Sequence, residues 1–184
     1  MAGTSLEDLR VLQAAEAVSD ALWDQAMVWT DFAKNTVGSQ LVRAADSIGA
    51  NIAEAFGRYH YGEKLQFLYY ARGSLYETKY WVNRALRRQL LSQQNGETYA
   101  SDLTGLAHQL NAFVRSLKSQ RSGQAGSATL KEEAEVYAVD EMTTSDFIPS
   151  TEIDWLSSDP SAPLPQSLIS YLKSQTTDAN SHDH

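Results

Sequence analysis

Residues 40–59 read QLVRAADSIGANIAEAFGRY, a pattern typical of an amphipathic helix. At about 100° per residue, apolar side chains collect on one narrow face and polar side chains on roughly the opposite face. Small residues between the two faces would let another helix approach closely. We therefore predict a helix that buries one face in a core. Its apolar face is Leu41, Ala45, Ile48, Ile52 and Phe56, and its polar face is Arg43, Ser47, Asn51, Glu54 and Arg58.

A long apolar repeat precedes this helix. From Val11 to Ala33, apolar residues recur at spacings of three and four, which predicts another helix. Ser5, with Asp8 three residues later, signals where it begins. A turn or weak point is expected before the second helix starts near Thr36.

Two more amphipathic helices are predicted further along the chain. One covers residues 63–91, and the other follows a turn signal at residues 93–96 and ends in the Ser- and Gly-rich residues 119–127. Gly57 is expected to end the second helix in a left-handed conformation. Four amphipathic helices joined by short loops predict an all-α fold, an up-and-down antiparallel four-helix bundle.

Charge divides the chain into two parts. Residues 1–122 carry 13 Lys and Arg against 12 Asp and Glu, whereas residues 123–184 carry 2 against 11. The net charge of −8 therefore belongs to the second part. We predict two regions, a four-helix bundle over residues 1–122 and a largely irregular acidic tail over residues 123–184.

The tail alternates acidic residues with short apolar islands, a composition that does not build its own core. One interpretation is a flexible acidic tail that aids solubility. The other is a docking segment that binds this bundle or another protein through a few apolar anchors. The candidate anchors are Phe147, Trp155, Leu156, Leu168 and Leu172.

The sequence offers little for catalysis or metal binding. The chain has no cysteine, and its four histidines form neither an HxxxH nor an ExxH pair. It also lacks a glycine-rich phosphate loop and a nucleophile elbow. No run of about 18 apolar residues or signal-peptide pattern is present. We expect no catalytic residues, metal, cofactor or membrane contact, and a soluble cytoplasmic protein.

One ion pair is expected between the second and third helices. Glu54 and Arg72 lie at similar distances from the turn that joins these antiparallel helices. We predict that they pair across the interface and that Asn51 completes the hydrogen bonds. A catalytic role for Glu54 is the alternative, but no second carboxylate or histidine has a spacing that joins it.

Arginines concentrate near the end of the third helix, at Arg84, Arg87 and Arg88. One interpretation is favourable interaction with the negative end of the helix dipole on a solvated face. The other is a nucleic-acid-binding patch that contacts phosphates. The full candidate set is Arg84, Arg87, Arg88, Arg115, Lys118 and Arg121.

The third helix also has a second apolar face. Phe67, Tyr70, Ser74 and Trp81 lie apart from its core stripe. Because a helix that is apolar on more than one side must be covered on more than one side, this face predicts self-association.

The segments QLVRAADSIGANIAEAFGR and FLYYARGSLYETKYW resemble the family of four-helix-bundle proteins encoded in intervening sequences of bacterial ribosomal RNA genes. That family includes the accessory variability proteins of diversity-generating retroelements. The resemblance covers about residues 6–120 and includes the structural motif residues Arg43, Asn51, Glu54, Arg58 and Arg72.

The resemblance implies a homopentamer without known catalysis and, in the retroelement branch, a basic surface that binds nucleic acid and a reverse transcriptase. Two functions therefore remain open. One is a non-enzymatic oligomeric accessory that binds RNA, DNA or a ribonucleoprotein partner such as a reverse transcriptase. The other is a pentameric scaffold whose acidic tails dock a partner protein, an interpretation that the charge division favours.

Overall fold

The computed structural model describes residues 5–124, residues 154–156, and residues 166 and 169. The predicted all-α class is confirmed, since the described residues contain helices and no strand. The elements are α1 (Arg10–Met27), α2 (Asp31–Ala33), a π-helical turn (Lys34–Gly38), α3 (Ser39–Gly57), α4 (Tyr61–Arg87) and α5 (Gln93–Gln124).

The first helix is shorter than predicted at both ends. The Ser5 backbone N–H donates to Asp8 Oδ2 at 3.2 Å, and this hydrogen bond closes a turn outside the helix. The helix itself begins at Arg10 and ends at Met27. The apolar repeat continued to Ala33 because Trp29, in the break, and Ala33, in the next helix, also enter the core.

The second helical segment begins earlier than the expected Thr36. Thr30 is its N-cap, and the Thr30 hydroxyl accepts from the Ala33 backbone N–H at 3.4 Å. The backbone then runs from α2 through the π-helical turn into α3 without leaving helical geometry. Within that turn, the Thr36 hydroxyl donates to the Phe32 carbonyl oxygen at 2.7 Å. The predicted weak point is therefore a change from α-helix to π-helix and back. Single π-helical turns of this kind occur inside α-helices.

The core lies between four long helices. α1 packs against α3 and α5, and α4 packs against the same two helices. The apolar face predicted for residues 40–57 is fully buried at four positions and half-buried at Phe56. On α4, buried residues follow spacings of three and four, the period that brings side chains to one face. These residues are Leu68, Ala71, Leu75, Thr78, Val82 and Ala85.

The left-handed residue lies in a different loop from the one predicted. Gly57 is the last residue of α3, and the next residue leaves the helix with extended backbone angles. Gln89 instead has a φ of 58° after α4. There the Leu90 N–H donates to the Ala85 carbonyl at 2.9 Å and the Gln89 N–H donates to the Leu86 carbonyl at 3.0 Å, which is a Schellman motif.

Two contacts define the relative direction and register of α4 and α5. A Cβ at Gly96 would lie 3.2 Å from the Leu86 side chain, and the Arg121 guanidinium carbon lies 4.8 Å from the Tyr61 ring centroid. Each pair of residue numbers adds to 182, so these two helices are antiparallel. Residues whose numbers add to about 182 therefore lie at the same level along the pair.

Candidate nucleic-acid interface

Charge is divided between the two halves of the helical region. Residues 5–60 contain 4 Lys and Arg against 8 Asp and Glu, whereas residues 61–124 contain 9 against 4. Between Val11 and Phe32 the chain has four acidic residues and no basic one. The side of the molecule built by α4 and α5 is therefore cationic, and α1 is acidic. The sequence did not reveal this division, because the total charge of residues 1–122 is close to neutral.

The predicted basic residues form two clusters rather than one. The α4-end cluster comprises Arg84, Arg87 and Arg88, and the α5-end cluster comprises Arg115, Lys118 and Arg121. Arg115 is level with Phe67 in the antiparallel register, which is 17 residues from Arg84 on α4. At about 1.5 Å per residue, the clusters are separated by roughly 25 Å along the helices. Extended nucleic acid would be needed to contact both.

Arg87, Arg88, Arg115 and Arg121 are exposed, whereas Arg84 and Lys118 are half-buried. The α4-end cluster lies at a helix C-terminus, so its charges also complement the helix dipole, as the first interpretation expected. Exposure leaves the four arginines accessible to phosphates.

Sequence reasoning missed Lys64, which lies level with Lys118 in the α4–α5 register. Its Nζ donates to the backbone carbonyls of Ala55 and Phe56, at 3.5 and 3.2 Å, and thereby contacts the C-terminal end of α3. This lysine adds a cation near the α5-end cluster. Its separation from the cluster in sequence is the reason it was missed, since only the antiparallel register brings the two together.

The predicted ion pair between Glu54 and Arg72 is wrong. Glu54 pairs instead with Arg58, one turn later on α3. This arrangement, with the acid four residues before the base, is the favoured one on a helix surface. The Arg72 guanidinium carbon lies 5.2 Å from the Tyr69 ring centroid on its own helix.

Asn51 does not complete a hydrogen-bond network across the interface. Its side-chain amide donates to the Ser47 carbonyl at 2.8 Å, and the Ser47 hydroxyl donates to the Arg43 carbonyl at 2.7 Å. The polar face of α3 is therefore satisfied mainly along its own helix. Because each acceptor lies one turn earlier, helix geometry supplies these partners without help from α4.

Comparison with known protein families matches residues 7–112 to the 23S rRNA-intervening sequence proteins. The match covers more than half of the 184 residues, from α1 into α5. This chain belongs to that family. Among curated individual proteins, none matches it significantly. In this 23S rRNA-intervening sequence protein, the matched region includes the α4-end cluster but ends before Arg115 and before the acidic tail.

The apolar face predicted for self-association is partly covered by its own chain in this family member. Phe67 packs edge-to-face with Tyr70 at 5.7 Å, and the Arg58 guanidinium carbon lies 4.7 Å from the Phe67 ring centroid. Trp81 Nε1 donates to Glu77 Oε1 at 3.3 Å. Phe67, Ser74 and Trp81 are half-buried, and Tyr70 is 40% exposed.

Larger exposed apolar side chains lie where α1 meets α2, and sequence reasoning did not single them out. Trp23 and Met27 are about half exposed, and Val28 and Phe32 are 77% and 81% exposed. The sequence contained a signal for these residues. Trp23 and Met27 each come directly after a core residue and are four positions apart, so they form a second apolar stripe on α1.

A groove between α1 and α3 has a volume of about 490 Å³. Small residues including Gly49, Ala50 and Ala53 line it, together with acidic residues. The Ser19 hydroxyl donates to Asp46 Oδ1 across the two helices. The acidic lining makes this groove a poor match for phosphates.

Part of the acidic tail packs on the helical region. Residues 154–156 are helical, and Trp155 and Leu156 are 7% and 0% exposed. The Trp155 ring packs edge-to-face on Tyr76 with 6.0 Å between centroids. Phe147, Leu168 and Leu172 lie outside the described residues.

Within the part of the chain that the structure describes, no group of three or more His, Asp or Glu side chains could hold a metal ion. Over the same residues, every helix is too short or too polar to cross a membrane.

Proposed function

We propose that this protein is a non-enzymatic accessory protein that binds the RNA backbone through the cationic side built by α4 and α5. The single observation that carries this proposal is the excess of 9 basic over 4 acidic residues between residues 61 and 124. Membership of a family named for intervening sequences of 23S rRNA favours RNA as the nucleic acid.

The mode of binding follows from the exposed arginines. Arginine guanidinium groups donate paired hydrogen bonds to phosphate, and each neutralised phosphate releases condensed counterions. Two clusters roughly 25 Å apart would contact separated phosphates along a helix or an extended strand. Contacts of this kind position RNA without reading its sequence. We therefore expect affinity that depends strongly on salt and weakly on sequence.

The experiment is a binding titration with fluorescently labelled RNA at low salt. The variant carries Arg87→Gln, Arg88→Gln, Arg115→Gln and Arg121→Gln, and the control is Arg43→Gln, which removes an exposed cation from α3. We expect at least tenfold weaker binding for the variant and less than twofold for the control. Equal binding by all three proteins would contradict the proposal.

The arrangement we propose for the helices is an up-and-down antiparallel four-helix bundle. The packing of α1 and α4 each against both α3 and α5 supports it. We further propose a homopentamer, in which five weak phosphate-binding surfaces act together and raise the avidity for RNA. The exposed Tyr70 and the exposed residues Trp23 and Phe32 are available for contacts between copies.

The proposed location is the cytoplasm. The proposed further partner is a ribonucleoprotein enzyme such as a reverse transcriptase of a diversity-generating retroelement, and DNA is the proposed alternative to RNA as a ligand. A reverse transcriptase gene beside this one would support that partner. Co-purification of such an enzyme with the tagged full-length chain is the direct test.

A second candidate function is a scaffold that docks a partner protein through the acidic tail. The burial of Trp155 and Leu156 supports it, because these tail side chains pack as apolar groups against the chain's own helical region. If the full-length chain captured a protein partner and bound no RNA at low salt, the scaffold function would replace the first.

A further inference from the structure

One flank of α4 is more deeply buried than its position predicts. Tyr76, Lys79 and Asn83 each lie one residue beyond the core positions of α4, yet they are only 4%, 1% and 8% exposed. On the opposite flank, Tyr70 is 40% exposed and Trp81 is half-buried. Residues flanking a core stripe normally remain partly in water. Tyr76 is the residue of this flank that Trp155 contacts.

The antiparallel register identifies which helix adjoins this flank. The Arg58 contact with Phe67 turns the opposite flank toward α3, so the buried flank faces α5. At the level of Tyr76 and Lys79, α5 presents Leu106 and Leu103, which are 1% and 0% exposed. These leucines belong to the core between the helices.

Residues 154–156 cover this flank at Tyr76. Trp155 contacts Tyr76 edge-to-face, and Leu156 is completely buried within the same hydrophobic cluster. Asp154 is exposed beside them. Edge-to-face aromatic pairs and a buried leucine are typical anchors of short peptides that dock into a groove between helices.

We propose that the α4–α5 groove at Tyr76 is a binding site for peptides of the form acidic residue–tryptophan–leucine, and that residues 154–156 are its tethered, exchangeable occupant. The site lies outside the four-helix pattern itself, since the occupant is joined to α5 through the 29 residues from 125 to 153. This inference does not depend on RNA binding.

Tethering decides how the site behaves toward a competing peptide. A tether of about this length gives an effective concentration of roughly millimolar. A free peptide with the same anchors would therefore bind poorly to the wild-type chain and much better to a chain whose own anchors are removed. Lys79 lies three residues after Tyr76 on the same flank and is 1% exposed, so we expect its reactivity to report whether the groove is covered.

The test uses the full-length chain with Trp155→Ala and Leu156→Ala together. A labelled peptide with the sequence of residues 150–160, STEIDWLSSDP, is titrated into this variant and into the wild type. Amine acetylation read by mass spectrometry follows Lys79, with the half-buried Lys34 as an internal control. A second peptide with both anchors replaced by alanine is the control ligand.

We expect the peptide to bind the variant at least tenfold more tightly than the wild type, and the control peptide to bind neither. Lys79 should acetylate at least tenfold faster in the variant and regain protection when the peptide is added, while Lys34 stays constant. Equal protection of Lys79 in both proteins, or equal peptide binding, would overturn the proposal. Loss of the helical circular dichroism signal in the variant would also overturn it, since an exchangeable occupant must leave a folded bundle behind.

Discussion

The hydroxyl of Tyr99 on α5 donates a hydrogen bond to the backbone carbonyl oxygen of Ala21 on α1, at 3.2 Å. This contact joins the first long helix to the last. Burial of the phenol, followed by the charges of Asp102 and Asp24, raises the pKa of Tyr99 above its usual 10.0. The neutral phenol is therefore the form that the folded chain favours.

This relationship predicts a loss of stability at high pH. Because the folded pKa is raised, the contribution of Tyr99 is complete below pH 10.0 and is lost as pH rises toward the folded pKa. Tyr99→Phe should cost about 1 kcal/mol at pH 7 through the missing hydrogen bond. Above pH 10.0, the difference between wild type and variant should shrink, as measured by urea unfolding. A constant difference across this range would contradict the prediction.

The left-handed residue Gln89 gives an opposite prediction, a gain of stability. A side chain at positive φ costs about 1 kcal/mol relative to glycine. Gln89→Gly should therefore raise the free energy of unfolding by up to about 1 kcal/mol. The matched control is Gln109→Gly on the exposed face in the middle of α5, where glycine should lower it by about 0.5–1 kcal/mol. Chemical denaturation of both variants checks the two signs, and destabilisation by Gln89→Gly would refute the assignment.

The pairing of Glu54 with Arg58 predicts a small effect where sequence reasoning expected a large one. A buried pair between helices would cost roughly 3–5 kcal/mol on removal of one partner. The pair instead lies on the surface of one helix, with side chains 47% and 39% exposed. Glu54→Gln should cost less than about 0.5 kcal/mol, whereas Ile48→Ala in the core should cost about 2–5 kcal/mol. A thermal shift for Glu54→Gln as large as that for Ile48→Ala would show that the pair is more than a surface contact.

Self-association is tested by comparing two exposed apolar surfaces. Light scattering should give the wild type a mass of about 102 kDa, five times the 20.4 kDa of one chain. Tyr70→Glu should dissociate the assembly while the helical content persists, if the α4 face forms the interface predicted from sequence. Phe32→Glu tests the α1–α2 corner in the same way. A wild-type mass of one chain would exclude the pentamer, and dissociation by Phe32→Glu alone would move the interface to the corner.

The helices and their buried faces could be predicted because periodicity acts locally. Leu41, Ile48 and Ile52 lie in the core, as their spacing indicated. The ends of the helices were harder to predict. The capping signal at Ser5 closes a turn instead of starting a helix, and Thr30 is the N-cap of the next helix. Local hydrogen bonds compete at such positions, so the same residue types serve turns and caps alike.

Contacts between helices could not be predicted in the same way, because residue spacing within one helix does not specify its partners on another. The partner of Glu54 was assigned across an interface although a nearer arginine was available on its own helix. The separation of the basic residues into two clusters followed only from the contacts of Leu86 with Gly96 and of Tyr61 with Arg121. The burial of Trp155 could not be predicted from spacing, because it depends on the contact that this residue makes with Tyr76 on α4.

The most direct test of the central claim is the salt dependence of RNA binding. For single-stranded RNA, the logarithm of the binding constant should fall with the logarithm of salt concentration by about 0.7 for each phosphate contacted. Replacing Arg87, Arg88, Arg115 and Arg121 by glutamine should therefore reduce the steepness of this slope by about 3, while Arg43→Gln leaves it nearly unchanged. An unaltered slope in the fourfold variant would contradict RNA binding by the α4–α5 side.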